Sequence, residues 1–209
     1  MRRTFVNLSR GAKGRGWYKK FMEEGQDGFQ RGVPPTPFDW NAGNILRPKV
    51  FFDMSLEQEK IGRIVIELAD DIVPKTASNF ISLCTGNGKF SYKGTKLHDI
   101  IKGKTIRAGD VESETGQYSH SSFETRYFRD ENFIIPHSER GLLSMVSSGI
   151  HTNGSQFYIT LSETSYLNGR GVVFGRVVEG DDVLQAIEKV FTFRGSPARD
   201  IVISDCGAL

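Results

Sequence analysis

Cysteine is nearly absent from this 209-residue chain, which has only Cys84 and Cys206. Two thiols so far apart exclude a disulfide framework and offer no metal-ligand spacing. Both are expected to be buried and reduced, which fits a cytosolic or organellar compartment better than a secreted one. Long apolar runs are missing too, and nothing approaches the ~18 residues a membrane-spanning helix needs. Net charge is only +2, from 27 basic and 25 acidic residues, so overall charge gives no reason to expect nucleic acid. The four histidines, His98, His120, His137 and His151, have no acid or thiol at useful spacing. No metal site, catalytic triad or cofactor is therefore expected.

What is present is unevenly distributed. Residues 1–49 hold ten Lys or Arg against four Asp or Glu, which leaves residues 50–209 at −4. The first 22 residues carry seven basic side chains and no acidic one, among Ser, Thr and Gly spacers. Two readings fit that composition: a mitochondrial transit segment or a solvated basic tail. The same 49 residues hold seven aromatics, Phe5, Trp17, Tyr18, Phe21, Phe29, Phe38 and Trp40, including both tryptophans of the chain. Aromatics on a segment without its own core need another surface to bury against. Residues 1–49 are therefore expected to form an extended partner-binding arm, stiffened at Val33-Pro34-Pro35-Thr36-Pro37. The competing expectation is that the arm packs back on its own domain.

Residues 50–209 have the character of a mainly β domain. Residues 50–54 form a short apolar run, and residues 62–68 alternate with Ile64, Ile66 and Leu68 on one face. Pro74 is placed to open a helix, where its missing N–H costs nothing, and Gly86 is placed to stop it. Val73, Ala77, Phe80, Ile81 and Cys84 form the buried stripe between them. A second helix fits residues 181–190, and Ile201-Val202-Ile203 reads as a closing strand. Many short strands with two helices point to a barrel or a sandwich.

Residues 141–177 are the most distinctive stretch. Leu143-Ser144-Met145, then Thr152-Asn153-Gly154-Ser155-Gln156-Phe157, then Val172-Val173-Phe174-Gly175 resemble the centre of a cyclophilin, the peptidyl-prolyl isomerase family. Val73-Pro74-Lys75-Thr76-Ala77, Tyr92-Lys93-Gly94, Gly109-Asp110, Asp130-Glu131-Asn132-Phe133 and Asp205-Cys206-Gly207 follow in the family's order. The resemblance covers residues 50–209. It implies a closed eight-stranded antiparallel barrel capped by two helices, with a hydrophobic socket that holds a proline ring. It also implies that His98 is structural.

The same resemblance implies that the pocket is altered. Asp99 stands where the family has its catalytic arginine. Lys104 and Thr105 replace a phenylalanine and a methionine of the apolar socket, and Arg107 replaces a glutamine. Val146, Ser147 and Ser148 take the place of Ala-Asn-Ala. Gln156 and Leu167 match the family, whereas Tyr158, Tyr166 and Gly171 replace phenylalanine, tryptophan and histidine. An ionised carboxylate cannot donate to the substrate carbonyl. Three charges in place of a socket are expected to satisfy one another, with Asp99 paired to Lys104 or Arg107.

The leading expectation is thus a catalytically silent cyclophilin-like accessory subunit of a large assembly, contacting protein neighbours through residues 1–49. The mitochondrion is the expected setting, with a respiratory-chain complex preferred over a mitochondrial ribosome because the barrel is acidic. Two alternatives stay open: an active prolyl isomerase that uses Arg107, and a peptide-binding module whose altered pocket takes a charged ligand.

Overall fold

The computed structural model of the chain describes residues 38–42 and 45–209. Phe5, Trp17, Tyr18, Phe21 and Phe29, expected to bind a partner, lie outside the described residues.

Alternating apolar side chains build the first hairpin, β1 (Lys49–Leu56) and β2 (Glu59–Leu68). Val50, Phe52 and Met54 of β1 and Ile64, Ile66 and Leu68 of β2 are buried, so the two strands share one inward face. Helix α1 (Pro74–Thr85) has Pro74 in its first turn and ends at Gly86. Gly86 adopts φ +66°, the left-handed conformation that glycine takes without strain, and its N–H donates to Ser82 O. Both helix bounds agree with the sequence reading.

The remaining strands are β3 (Asp99–Ile101), β4 (Thr105–Ala108), β5 (Leu142–Met145), β6 (Phe157–Thr160) and β7 (Val173–Glu179). Helix α2 (Asp181–Lys189) follows, then a small hairpin, β8 (Thr192–Phe193) and β9 (Ser196–Pro197), and finally β10 (Ile201–Ala208). Eight strands form one antiparallel sheet in the order β10-β1-β2-β7-β5-β6-β4-β3. The outer strands β10 and β3 share no ladder. Residues 94–97 span that seam through the Lys96–Val202 bridge, with Leu97 N–H donating to Ile201 O and Ile203 N–H to Thr95 O. The fold is the expected mainly β barrel with two α-helices, curled around an aromatic core. Phe80 is its centre, with ring centroids 4.8 Å from Phe174, 5.3 Å from Phe157 and 5.1 Å from Tyr92.

Both cysteines are free; Cys84 is buried and Cys206 half-buried. Burial pushes both thiols up from their ordinary range.

One correction concerns the start of the domain. Phe38 and Trp40 were assigned to a partner-facing arm, yet both pack on the chain's own barrel, and Trp40 is only 6% exposed. The reason is a cationic clamp. Arg47, itself buried, donates to Trp40 O at 2.5 Å and grips Asp71 with two hydrogen bonds of 2.6 and 2.9 Å. Arg176, held by Glu67 at 2.8 Å, also lies over the indole, with its guanidinium 5.1 Å from the Trp40 ring centre. Two guanidiniums against one indole, each neutralised by a carboxylate, hold Trp40 and Arg47 against Asp71, Glu67 of β2 and Arg176 of β7.

Candidate functional site

Register decides what the outer face of the sheet presents. Ile100, Ile106, Ile159 and Leu143 stand opposite one another on β3, β4, β6 and β5, and all four are buried in the core. One residue away, Asp99, Arg107, Tyr158 and Ser144 form the adjacent row on the opposite face. That outer row carries the chemistry.

A cleft of about 230 Å³ opens beside it, lined by Met145, Ser147, Ser148, Gly149, Tyr158, Leu167, Arg170 and Gly171. Of the residues expected at a proline pocket, Ser147, Ser148, Tyr158, Leu167 and Gly171 line this cleft. Asp99, Arg107 and Gln156 flank it through the outer row. Lys104 is exposed on the β3–β4 turn and does not line the cleft, while Thr105 is buried and Val146 half-buried. Tyr166 is half exposed on the 3-10 turn Ser165–Leu167. The sequence reading missed Met145, Gly149 and Arg170 as lining residues. Their signal was their place beside motif residues, since Met145 follows Ser144 and Arg170 precedes Gly171.

The expected mutual pairing of the charges does not occur. No ion pair among the described residues joins Asp99 to Lys104 or Arg107. Arg107 instead donates from Nε to Gln156 Oε1 at 2.8 Å and from a terminal nitrogen to Gly116 O at 3.1 Å. The physical cause lies in the β8–β9 hairpin. Its turn residues Arg194 and Gly195 both have positive φ, and Ile100 N–H donates to Gly195 O at 2.7 Å, fixing the turn along β3. A Cβ on Gly195 would overlap Asp99 Oδ1, so glycine is what lets the turn close over this carboxylate. Burial raises the Asp99 carboxyl above its ordinary range, opposed in part by the Arg107 charge.

Gln156 is fully used within the protein. Its Nε2 donates to Tyr118 O at 2.6 Å and Gly116 O at 3.0 Å, while Oε1 takes the Arg107 bond. Burial likewise raises the Tyr158 hydroxyl, with Arg107 acting against it. Beneath the cleft, His137 bridges Ser144 Oγ at 2.8 Å and Asn168 Oδ1 at 3.0 Å. Burial holds His137 down to about 4, so its imidazole is neutral at physiological pH. Ser144 has no exposed surface, so this chain of hydrogen bonds ties β5 to the 168 turn rather than facing the cleft. His98 sits under Gly116 and is also lowered to about 4, by burial and by the Arg107 charge.

Twisting an X–Pro bond crosses a barrier of roughly 18–20 kcal/mol, and an enzyme lowers it by donors that favour the twisted form. Here the side chain expected to donate is an acceptor turned beneath a hairpin, and the neighbouring guanidinium is tied to Gln156 and Gly116.

No helix among the described residues is long and apolar enough to cross a membrane, and no group of three or more His, Cys, Asp or Glu among them is arranged to hold a metal ion. The family model described as cyclophilin type peptidyl-prolyl cis-trans isomerase/CLD matches residues 51–208. With that match over most of the chain and an eight-stranded sheet flanked by two helices, this protein belongs to the cyclophilin-type peptidyl-prolyl isomerase family.

Proposed function

We propose that this chain is a catalytically silent cyclophilin that serves as an accessory, protein-binding subunit of a larger assembly. The observation that carries the reading is the outer row: Asp99 stands at the arginine position, held under Gly195, and Arg107 is committed to Gln156 and Gly116. Loss of one preorganised donor to a developing charge costs about 10²–10³ in rate. The basic, aromatic composition of residues 1–37 supports a role in holding partners, and a mitochondrial respiratory complex is the setting that composition and barrel charge favour. The full chain, assayed for X–Pro isomerisation by exchange NMR on a short proline peptide, should leave the rate at its uncatalysed value. Isomerisation within about tenfold of ordinary cyclophilins would overturn the proposal.

A second reading, that the cleft still receives a peptide, is favoured by its openness and by Leu167 and Met145 in its wall. The two readings are compatible, because binding needs no transition-state donor.

A further inference from the structure

The cleft has a polar character that its fold does not require. Four side-chain donors line it: Arg170, Ser147, Ser148 and Tyr158. Among the described residues, Arg170 makes no side-chain ion pair or hydrogen bond, and the hydroxyls of Ser148 and Tyr158 have no partner. Ser147 Oγ makes one weak bond, to Arg170 O at 3.3 Å. No Asp or Glu lines the cleft. Arg107, directly opposite Tyr158 on the next strand, adds a second guanidinium without a carboxylate partner. Asp99, in the same row as Arg107 and Tyr158, lies against Gly195 of the β8–β9 turn.

Donors without acceptors define the missing ligand. A guanidinium and hydroxyls lining one opening suit an oxyanion, since a carboxylate accepts several hydrogen bonds and donates none. Leu167, half-buried in the cleft wall, matches a small apolar group beside it. We propose that the cleft binds an acidic peptide segment, placing an Asp or Glu carboxylate against Arg170, Ser148 and Tyr158 and an adjacent apolar residue against Leu167. This rests on the reading that the cleft still receives a peptide. It differs from a plain proline socket in that charge, rather than ring shape, selects the ligand.

The test uses the full chain and three dye-labelled peptides, read by fluorescence anisotropy. One is Ala-Glu-Glu-Pro-Leu-Glu-Ala; the others replace every glutamate by glutamine or by phosphoserine. The glutamate peptide is expected to bind about tenfold or more tighter than the glutamine peptide, and to weaken as salt rises from 50 to 300 mM, on the order expected for screened charges. Arg170→Glu should abolish the preference with an unchanged circular dichroism spectrum and melting temperature, and Arg170→Lys should keep part of it. Equal binding of the glutamate and glutamine peptides, no binding at all, or binding of the phosphoserine peptide alone would overturn the proposal. Exchange NMR on the same glutamate peptide separates this result from the silent-enzyme reading. Fast isomerisation with a glutamate preference sinks the latter and keeps the former.

Discussion

Two neighbouring rows of one sheet, a single residue out of step, have opposite characters. The inner row, Ile100, Ile106, Ile159 and Leu143, is uniformly apolar and closed to solvent. The outer row, Asp99, Arg107, Tyr158 and Ser144, is polar. The same backbone ladders carry both, so the barrel does not depend on what the outer row contains. Core packing and the polar row lie on opposite faces of the same strands.

That contrast can be broken from either side. Ile106→Ala should cost about 2–5 kcal/mol, the range for a truncated core side chain, measured by urea unfolding. A loss under about 1 kcal/mol would mean that the inner row is not the structural one. At the clamp, Arg47→Ala should cost about 2–3 kcal/mol, because Asp71 and Trp40 O lose charge-assisted bonds. Tryptophan emission should shift red as Trp40 is exposed, and an unshifted spectrum would contradict the clamp. Gly195→Ala should cost about 1–2 kcal/mol from the left-handed backbone at φ +89°. It should also push Asp99 out from under the turn, visible as a change in the Ile100 amide resonance.

The smallest effect belongs to the outer row itself. Asp99→Asn should raise stability at neutral pH by less than about 1 kcal/mol. Burial raises the folded-state pKa of this carboxyl, so protonation is favoured on folding. The natural chain therefore holds its full stability from this group below the ordinary aspartate value near 3.8 and loses it as pH rises through the raised value. The asparagine variant has no such loss, so its advantage should appear at neutral pH and vanish in acid. A variant less stable at pH 7 would show that Asp99 has a stabilising partner.

The first hairpin and α1 were legible in the sequence, because residues 62–68 alternate and Pro74 and Gly86 punctuate the helix chemically. The residue types of the outer row were legible too, from their order in family motifs. Their directions were not. Asp99 is turned by Gly195, nearly a hundred positions away, and the two-residue strands around that turn carry no alternation to read. Phe191 and Phe193 beside it are 69% and 67% exposed, which hides the hairpin further. Trp40 was misassigned for a related reason. Its burial depends on Arg176, whose position over the indole follows from the β2–β7 pairing and not from any local pattern.

The most direct test gives two outer-row positions the residues that the family resemblance implies. Asp99→Arg and Arg107→Gln would be made together in the full chain, and X–Pro isomerisation compared with the natural protein by exchange NMR. The account predicts no catalysis by the natural chain and a measurable gain in the variant, with equal melting temperatures. Catalysis by the natural chain that disappears with Arg107→Ala would contradict it, and would make Arg107 the arginine that works.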